Sequence, residues 1–147
     1  MKTLIPVLDG ANFLPAVRYV VREFLNGERV ELHLLHIRSA FSLASNGLKP
    51  GLALLERFRI PYLVHLEVGD KATAIDAVAR RVGAHRIVLG TARSGSVTGM
   101  AQSSTINKVL DNASVPVILV SGKSVSRLER YGIAAGLGVT LWLILSA

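Results

Sequence analysis

The sequence predicts an α/β domain: a five-stranded parallel sheet with helices on both faces, followed by an added apolar C-terminal helix. Short apolar runs at residues 2–9, 30–37, 62–68, 85–90 and 116–121 alternate with stretches of helical period. That rhythm specifies a chain of right-handed βαβ crossovers. Half of the 147 residues are hydrophobic and only 5% are aromatic, a composition that suits strands covered on both faces. The length fits one domain with a single core.

Residues 2–9, KTLIPVLD, form the first predicted strand and end in Asp9-Gly10. The run is too short and wrongly flanked for a signal peptide. Asn12 can cap a helix whose apolar positions Phe13, Val17, Val20, Val21, Phe24 and Leu25 recur at helical spacing, with Pro15 in its first turn and Asn26-Gly27 as its stop. The second strand, 30–37, carries His33 and His36. Three residues apart on a strand, they point to opposite faces and cannot chelate one ion together, so no metal site is expected.

Residues 38–50 lack a clear period and read as a loop, after which Leu52, Leu55 and Phe58 mark a short helix. Residues 62–68 are the third strand. Asp70 is the expected cap of the next helix, which turns Ala74, Ile75, Val78, Ala79 and Val82 inward and closes at Gly83. In residues 87–120 the run Ile87-Val88-Leu89 ends on Gly90, and a loop rich in Gly, Ser and Thr follows. Periodicity returns at Ile106, Val109 and Leu110, with Ser103 and Ser104 as candidate caps, and Val115-Pro116-Val117 restarts an extended run. In a unit of this kind, unpaired N–H groups and the positive dipole end at the helix start favour an anion, usually a nucleotide phosphate.

These last residues resemble the C-terminal half of a universal stress protein domain, whose loop pattern G-x2-G-x9-G-[ST] precedes a helix ending near A-x-x-P-V. The same frame here gives Gly90, Arg93, Ser103 and Ser104, then Ala113 to Val117, so the first glycine and the final Ser are kept. Val68, Gly69, Asp70, Ile75 and Ala79 also match the family, and the resemblance covers residues 1–121 as a single, untandemed domain. It implies a Rossmann-like fold of the adenine nucleotide alpha hydrolase type. It also implies a nucleotide site built from Asp9 at the end of the first strand, Ile37 at the end of the second, and Gly90, Thr91, Arg93, Ser103 and Ser104 of the loop. For Asp9 the alternative is a plain turn with Gly10. Glycine in such loops lets the backbone approach phosphates, so Arg93 and Ser103 fill space the family leaves open. From this comes the expectation that no cofactor is held, with ATP or another adenine nucleotide as the alternative. The second helix is shorter than is common in the family, leaving that flank of the sheet less covered.

No G-x-S-x-G elbow, P-loop, H-E-x-x-H or paired carboxylates on a site loop is present. No catalytic residue is therefore assigned, and the expected role is a non-catalytic regulatory or stress-response module. The alternative is an ATP-binding member with slow nucleotide hydrolysis. The resemblance implies a homodimer pairing through the last strand, Val117 to Val120. With no cysteine there is neither disulfide nor thiolate chemistry, which is compatible with a reducing cytoplasm. The net charge of +7, from 17 Lys and Arg against 10 Asp and Glu, is scattered: Arg18, Arg22, Arg29, Arg57, Arg59, Arg80, Arg81 and Arg86 read as solvated faces and ends of helices. With no aromatic platform among them, nucleic acid is not the expected partner.

Residues 122–130 form a polar, basic linker, and 131–147, YGIAAGLGVTLWLILSA, carry no charge. As a helix those 17 residues span roughly 26 Å, against about 30 Å of bilayer core. Gly132 and Gly136 make a G-x-x-x-G, and Lys123, Arg127 and Arg130 supply a cytoplasmic flank. The segment is expected to anchor the domain to the cytoplasmic face of a membrane or to an integral membrane partner. The alternative is packing on the domain itself or on a partner subunit.

Overall fold

A computed structural model describes residues 1–8, 10–38, 48–91 and 97–121, with the side chains of 10–12, 97–103 and 121 left aside. Along these residues run β1 (Lys2–Val7), α1 (Gly10–Leu25), β2 (Glu31–Arg38), α2 (Lys49–Arg57), β3 (Tyr62–Val68), α3 (Lys71–Val82), β4 (Arg86–Thr91), α4 (Val97–Asn112) and β5 (Val117–Ser121). The five strands form one sheet in the order β3-β2-β1-β4-β5, with every pairing parallel. The order across the sheet thus differs from the order along the chain. The chain winds outward from β1 to β3, then returns to the other side of β1 for β4 and β5.

Two apolar layers sandwich the sheet. On one face Ile5, Leu32, Leu34, Val88, Ile118 and Val120 pack against Phe13, Val17 and Val20 of α1 and Leu55 of α2. On the other, Leu4, Leu35, Ile37, Ile87 and Leu89 pack against Ile75 and Val78 of α3 and Ile106 and Val109 of α4. β1 and β4 lie at the centre and are buried along nearly their whole length, as parallel strands covered by helices on both faces must be.

Helix ends follow local chemistry. The Asp70 carboxylate accepts from Thr73 N–H at 3.0 Å, satisfying one of the orphan donors at the start of α3. That hydrogen bond holds the Asp70 carboxyl below the ordinary carboxylate range. Gly83 ends the helix at φ 66°, in the left-handed region that glycine enters without strain. α1 begins at Gly10, two residues before the expected cap, so Asn12 lies within the helix and Pro15 lies inside it rather than in its first turn.

Several expectations are corrected by packing. Arg86 is 7% exposed, not solvated. Its Nε donates to Thr3 Oγ1 at 2.9 Å, its Nη1 donates to Glu23 Oε1 at 2.8 Å, and Nη2 meets Glu23 Oε2, so the fork is bidentate. The guanidinium also sits 5.7 Å from the centre of the Tyr19 ring. Leu25 and Leu110, expected to face inward, are exposed, because each falls just outside the stripe its helix presents to the sheet. In α2 the inward residues are Gly51 and Leu55. A Cβ on Gly51 would clash with Phe13 Cε1 at the ring edge, so glycine is what lets α2 close on α1.

The edge strand β3 is thinly covered: Leu66 is 69% and Val68 80% exposed. These two and Val64 alternate with His65 and Glu67, and by register they lie beside His36, Arg38 and Leu34 on the α1/α2 face. The flank that the sequence marks as under-covered is this one.

Two stability measurements test these contacts. Gly51→Ala should cost about 1–3 kcal/mol in urea unfolding, the range for overpacking a closed core; an unchanged midpoint would mean that the two helices are not held at this distance. Glu23→Ala should cost about 3–5 kcal/mol, because it strands a buried guanidinium. A loss no larger than that of a surface pair would contradict the burial of Arg86.

Candidate functional site

β1 and β4 are neighbours in space but belong to opposite windings of the sheet, which makes their C-terminal ends the topological switch point. Ligands of open α/β sheets bind in the crevice outside this point. Its opening has a local cause. Pro6 has no N–H to give to a neighbouring strand, and the β1–β4 ladder holds only Thr3↔Arg86 and Leu4↔Ile87. β1 stays paired with β2 as far as Val7↔His36. The two central strands are therefore laced together at their beginnings and free of each other at their ends.

Gly90 and Thr91 close β4 beside this crevice. Gly90 is buried, and Thr91, half-buried, donates its Oγ1 proton to Val120 O at 3.4 Å, a long bond to the neighbouring strand. Ile37 lies near the end of β2, 4% exposed, within the cluster that includes Ala72 and Ile75 of α3. β1 separates its strand from β4. Asp9 and Arg93 lie outside the described residues.

Ser103 and Ser104 are not caps. α4 begins at Val97, so both stand about two turns inside it, and Ser104 is exposed. Inside a helix each N–H is committed to the carbonyl four residues back, so neither serine offers the free backbone donors that cradle an anion at a helix start. The mistaken start has a clear source: residues 97–105 are polar and small, and apolar spacing shows only from Ile106 onward. The structure thus brings Gly90 and Thr91 to the crevice and leaves Ile37 in the core and Ser104 on an outer helix surface.

The sequence reading missed one polar cluster. His33, on the α3/α4 face of β2, is 4% exposed. Its Nε2 lies 3.0 Å from Glu31 Oε1 and its Nδ1 lies 2.9 Å from Nε2 of His65 on β3. The spacing argument paired His33 with His36 along one strand, whereas the partner comes from the next strand. The available signal was the position of His65 in a parallel neighbour of similar length. A separate cavity of about 240 Å³, lined by Glu23, Glu28, Arg29 and Arg86, opens at the end of the sheet away from the crevice.

Known proteins resemble the chain along most of its length. A family model described as the universal stress protein family matches residues 1–121. Among solved structures, a universal stress protein in complex with cAMP is similar at TM-score 0.62 and 14% identity, covering 82% of this chain and 96% of the other. A universal stress protein from Archaeoglobus fulgidus gives TM-score 0.59 and 18% identity, with 82% and 93% covered. A universal stress protein family protein from Arabidopsis thaliana with AMP bound gives TM-score 0.54 and 15% identity, with 82% and 90% covered. At these identities the likeness establishes the fold. No curated protein sequence matches the chain.

Proposed function

This chain belongs to the universal stress protein family, and on that footing we propose that it acts as a non-catalytic regulatory or stress-response module whose crevice does not depend on ATP. The observation that carries this reading is the start of α4 at Val97. It draws Ser103 and Ser104 into the body of the helix and removes their backbone donors from any phosphate. Arg93 in place of a loop glycine works in the same direction.

A second reading, an adenine-nucleotide-binding member with slow hydrolysis, is favoured by the open switch point beside Gly90 and by the cAMP and AMP of two similar structures. Calorimetry separates the two. Titration of ATP, AMP and cAMP into the full chain should give no saturable heat, or a Kd weaker than about 1 mM. Micromolar ATP affinity that is lost in Ser104→Ala and kept in Arg93→Ala would overturn the proposal and establish the second reading.

The module pairs as a homodimer through β5, a sheet edge whose strand, among the described residues, pairs only with β4. An open edge of this kind offers a row of backbone donors and acceptors to a second copy. The domain faces the cytoplasm, and residues 131–147, which lie outside the described residues, hold it to a membrane or to a membrane-embedded partner. Support comes from their uncharged composition and the basic flank before them. Among the described residues no helix is long and apolar enough to cross a membrane. The full chain should fractionate with membranes while a version ending at Ser126 stays in the soluble fraction. Equal solubility and monodispersity of both would assign the segment to the domain's own packing.

A further inference from the structure

Glu31, His33 and His65 form a continuous chain of hydrogen bonds across the β2–β3 pairing. The two imidazole planes differ by only 20°, and their centroids are 5.2 Å apart. A 2.9 Å N···N contact plus the two nitrogen-to-centroid spans adds up to about that separation. The rings therefore meet edge to edge along one line, as an N–H···N hydrogen bond requires, and not face to face. That in-line geometry favours a shared proton over a metal ion, for which tetrahedral coordination would need both nitrogens turned off the line.

The proton positions follow from the acceptor at one end. An ionised carboxylate only accepts, so Nε2–H of His33 donates to Glu31. With both rings neutral, His33 Nδ1 is then an acceptor and receives the Nε2–H of His65. Adding one proton makes His33 an imidazolium between Glu31 and His65, donating at both ends while His65 shifts its own proton to Nδ1. The chain remains intact. A second added proton has no such place: it would set two N–H groups and two positive rings against each other at 2.9 Å.

We propose that Glu31, His33 and His65 are a one-proton clamp that holds the edge strand β3 on β2 and lets it go when a second proton arrives. Glu31 and His33 face the clamp from β2, His65 and Glu67 from β3, Arg81 from α3, and Lys2 and the N-terminal ammonium from the β1 side. Arg81 binds Glu67 at 2.7 Å, which takes up the one carboxylate on β3 that could neutralise a charged His65. Burial, the neighbouring His33 and then Arg81 all push the His65 pKa below its ordinary 6.5, against Glu67. The hydrogen bond from His33 holds the Glu31 carboxyl below its ordinary 4.5, so the acceptor end stays ionised through the histidine range.

The sign follows from linkage. An unfolded His65 takes its proton near pH 6.5, and the folded one resists until lower pH, so the folded arrangement is favoured above that value and loses this advantage as pH falls below it. β3 is the element free to respond, since it is an edge strand with exposed Val64, Leu66 and Val68.

Amide hydrogen exchange on the full chain tests the clamp. Protection factors of residues 62–68, corrected for intrinsic rates, should fall about tenfold or more from about pH 7 to pH 5, while those of 86–91 hold. In His65→Gln, whose side-chain amide still donates to His33 and does not titrate, the fall should vanish. A fall that persists in the variant, or a wild type whose 62–68 protection does not change with pH, overturns the proposal. Should the variant fail to fold, ring-nitrogen NMR of the wild type decides. His65 titrating below the ordinary histidine value supports the clamp; His65 titrating at that value overturns it.

Discussion

Everything in this domain depends on the need of two central parallel strands, β1 and β4, to be hidden on both faces. Parallel strands cannot be joined by a tight hairpin, so each crossover must carry a helix back over the sheet. Four crossovers supply two helices to each face, and the apolar side chains of β1 and β4 divide between the two layers: Ile5 and Val88 toward α1 and α2, Leu4 and Ile87 toward α3 and α4. Coverage then thins outward from the centre. At β3 it runs out, and polar chemistry in the form of Glu31, His33 and His65 takes over part of the task of holding the strand.

The strands and most of the helices could be read from the sequence because their signals are local. Alternating apolar runs place all five strands to within two residues, and Asp70 and Gly83 mark the ends of α3 as the chemistry of caps demands. The start of α4 was not legible, since a polar, small-residue first half has no hydrophobic period to announce it. Long-range pairings were invisible for another reason. Arg86 lies 63 residues from Glu23, and nothing in the local sequence of either distinguishes a buried bidentate pair from two solvated charges. The same holds for Gly51, whose importance comes from the Phe13 ring on another helix.

The crevice was legible by a different route. A loop of glycine and serine after a strand identifies the position of a site in an α/β sheet, and Gly90 does stand at the switch point. What the loop does there depends on where the helix after it begins. A shift of that start by about two turns leaves the same residue types in sequence but turns their N–H groups from ligand donors into helix bonds. The candidate site's location is thus a property of topology, and the donors available to it depend on one helix boundary.

The paired guanidinium of Arg86 gives the sheet a pivot. It ties α1, β1 and β4 together at the end where, among the described residues, the two central strands share their ladder pairs, and sliding any one of the three would pull a largely buried guanidinium from its partners. Among the described residues no such tether joins β1 to β4 beyond Pro6. The tie between the two central strands thus sits at the end of the sheet distant from the crevice, while toward the crevice each leans on its outer neighbour, β1 on β2 as far as Val7 and β4 on β5 as far as Thr91.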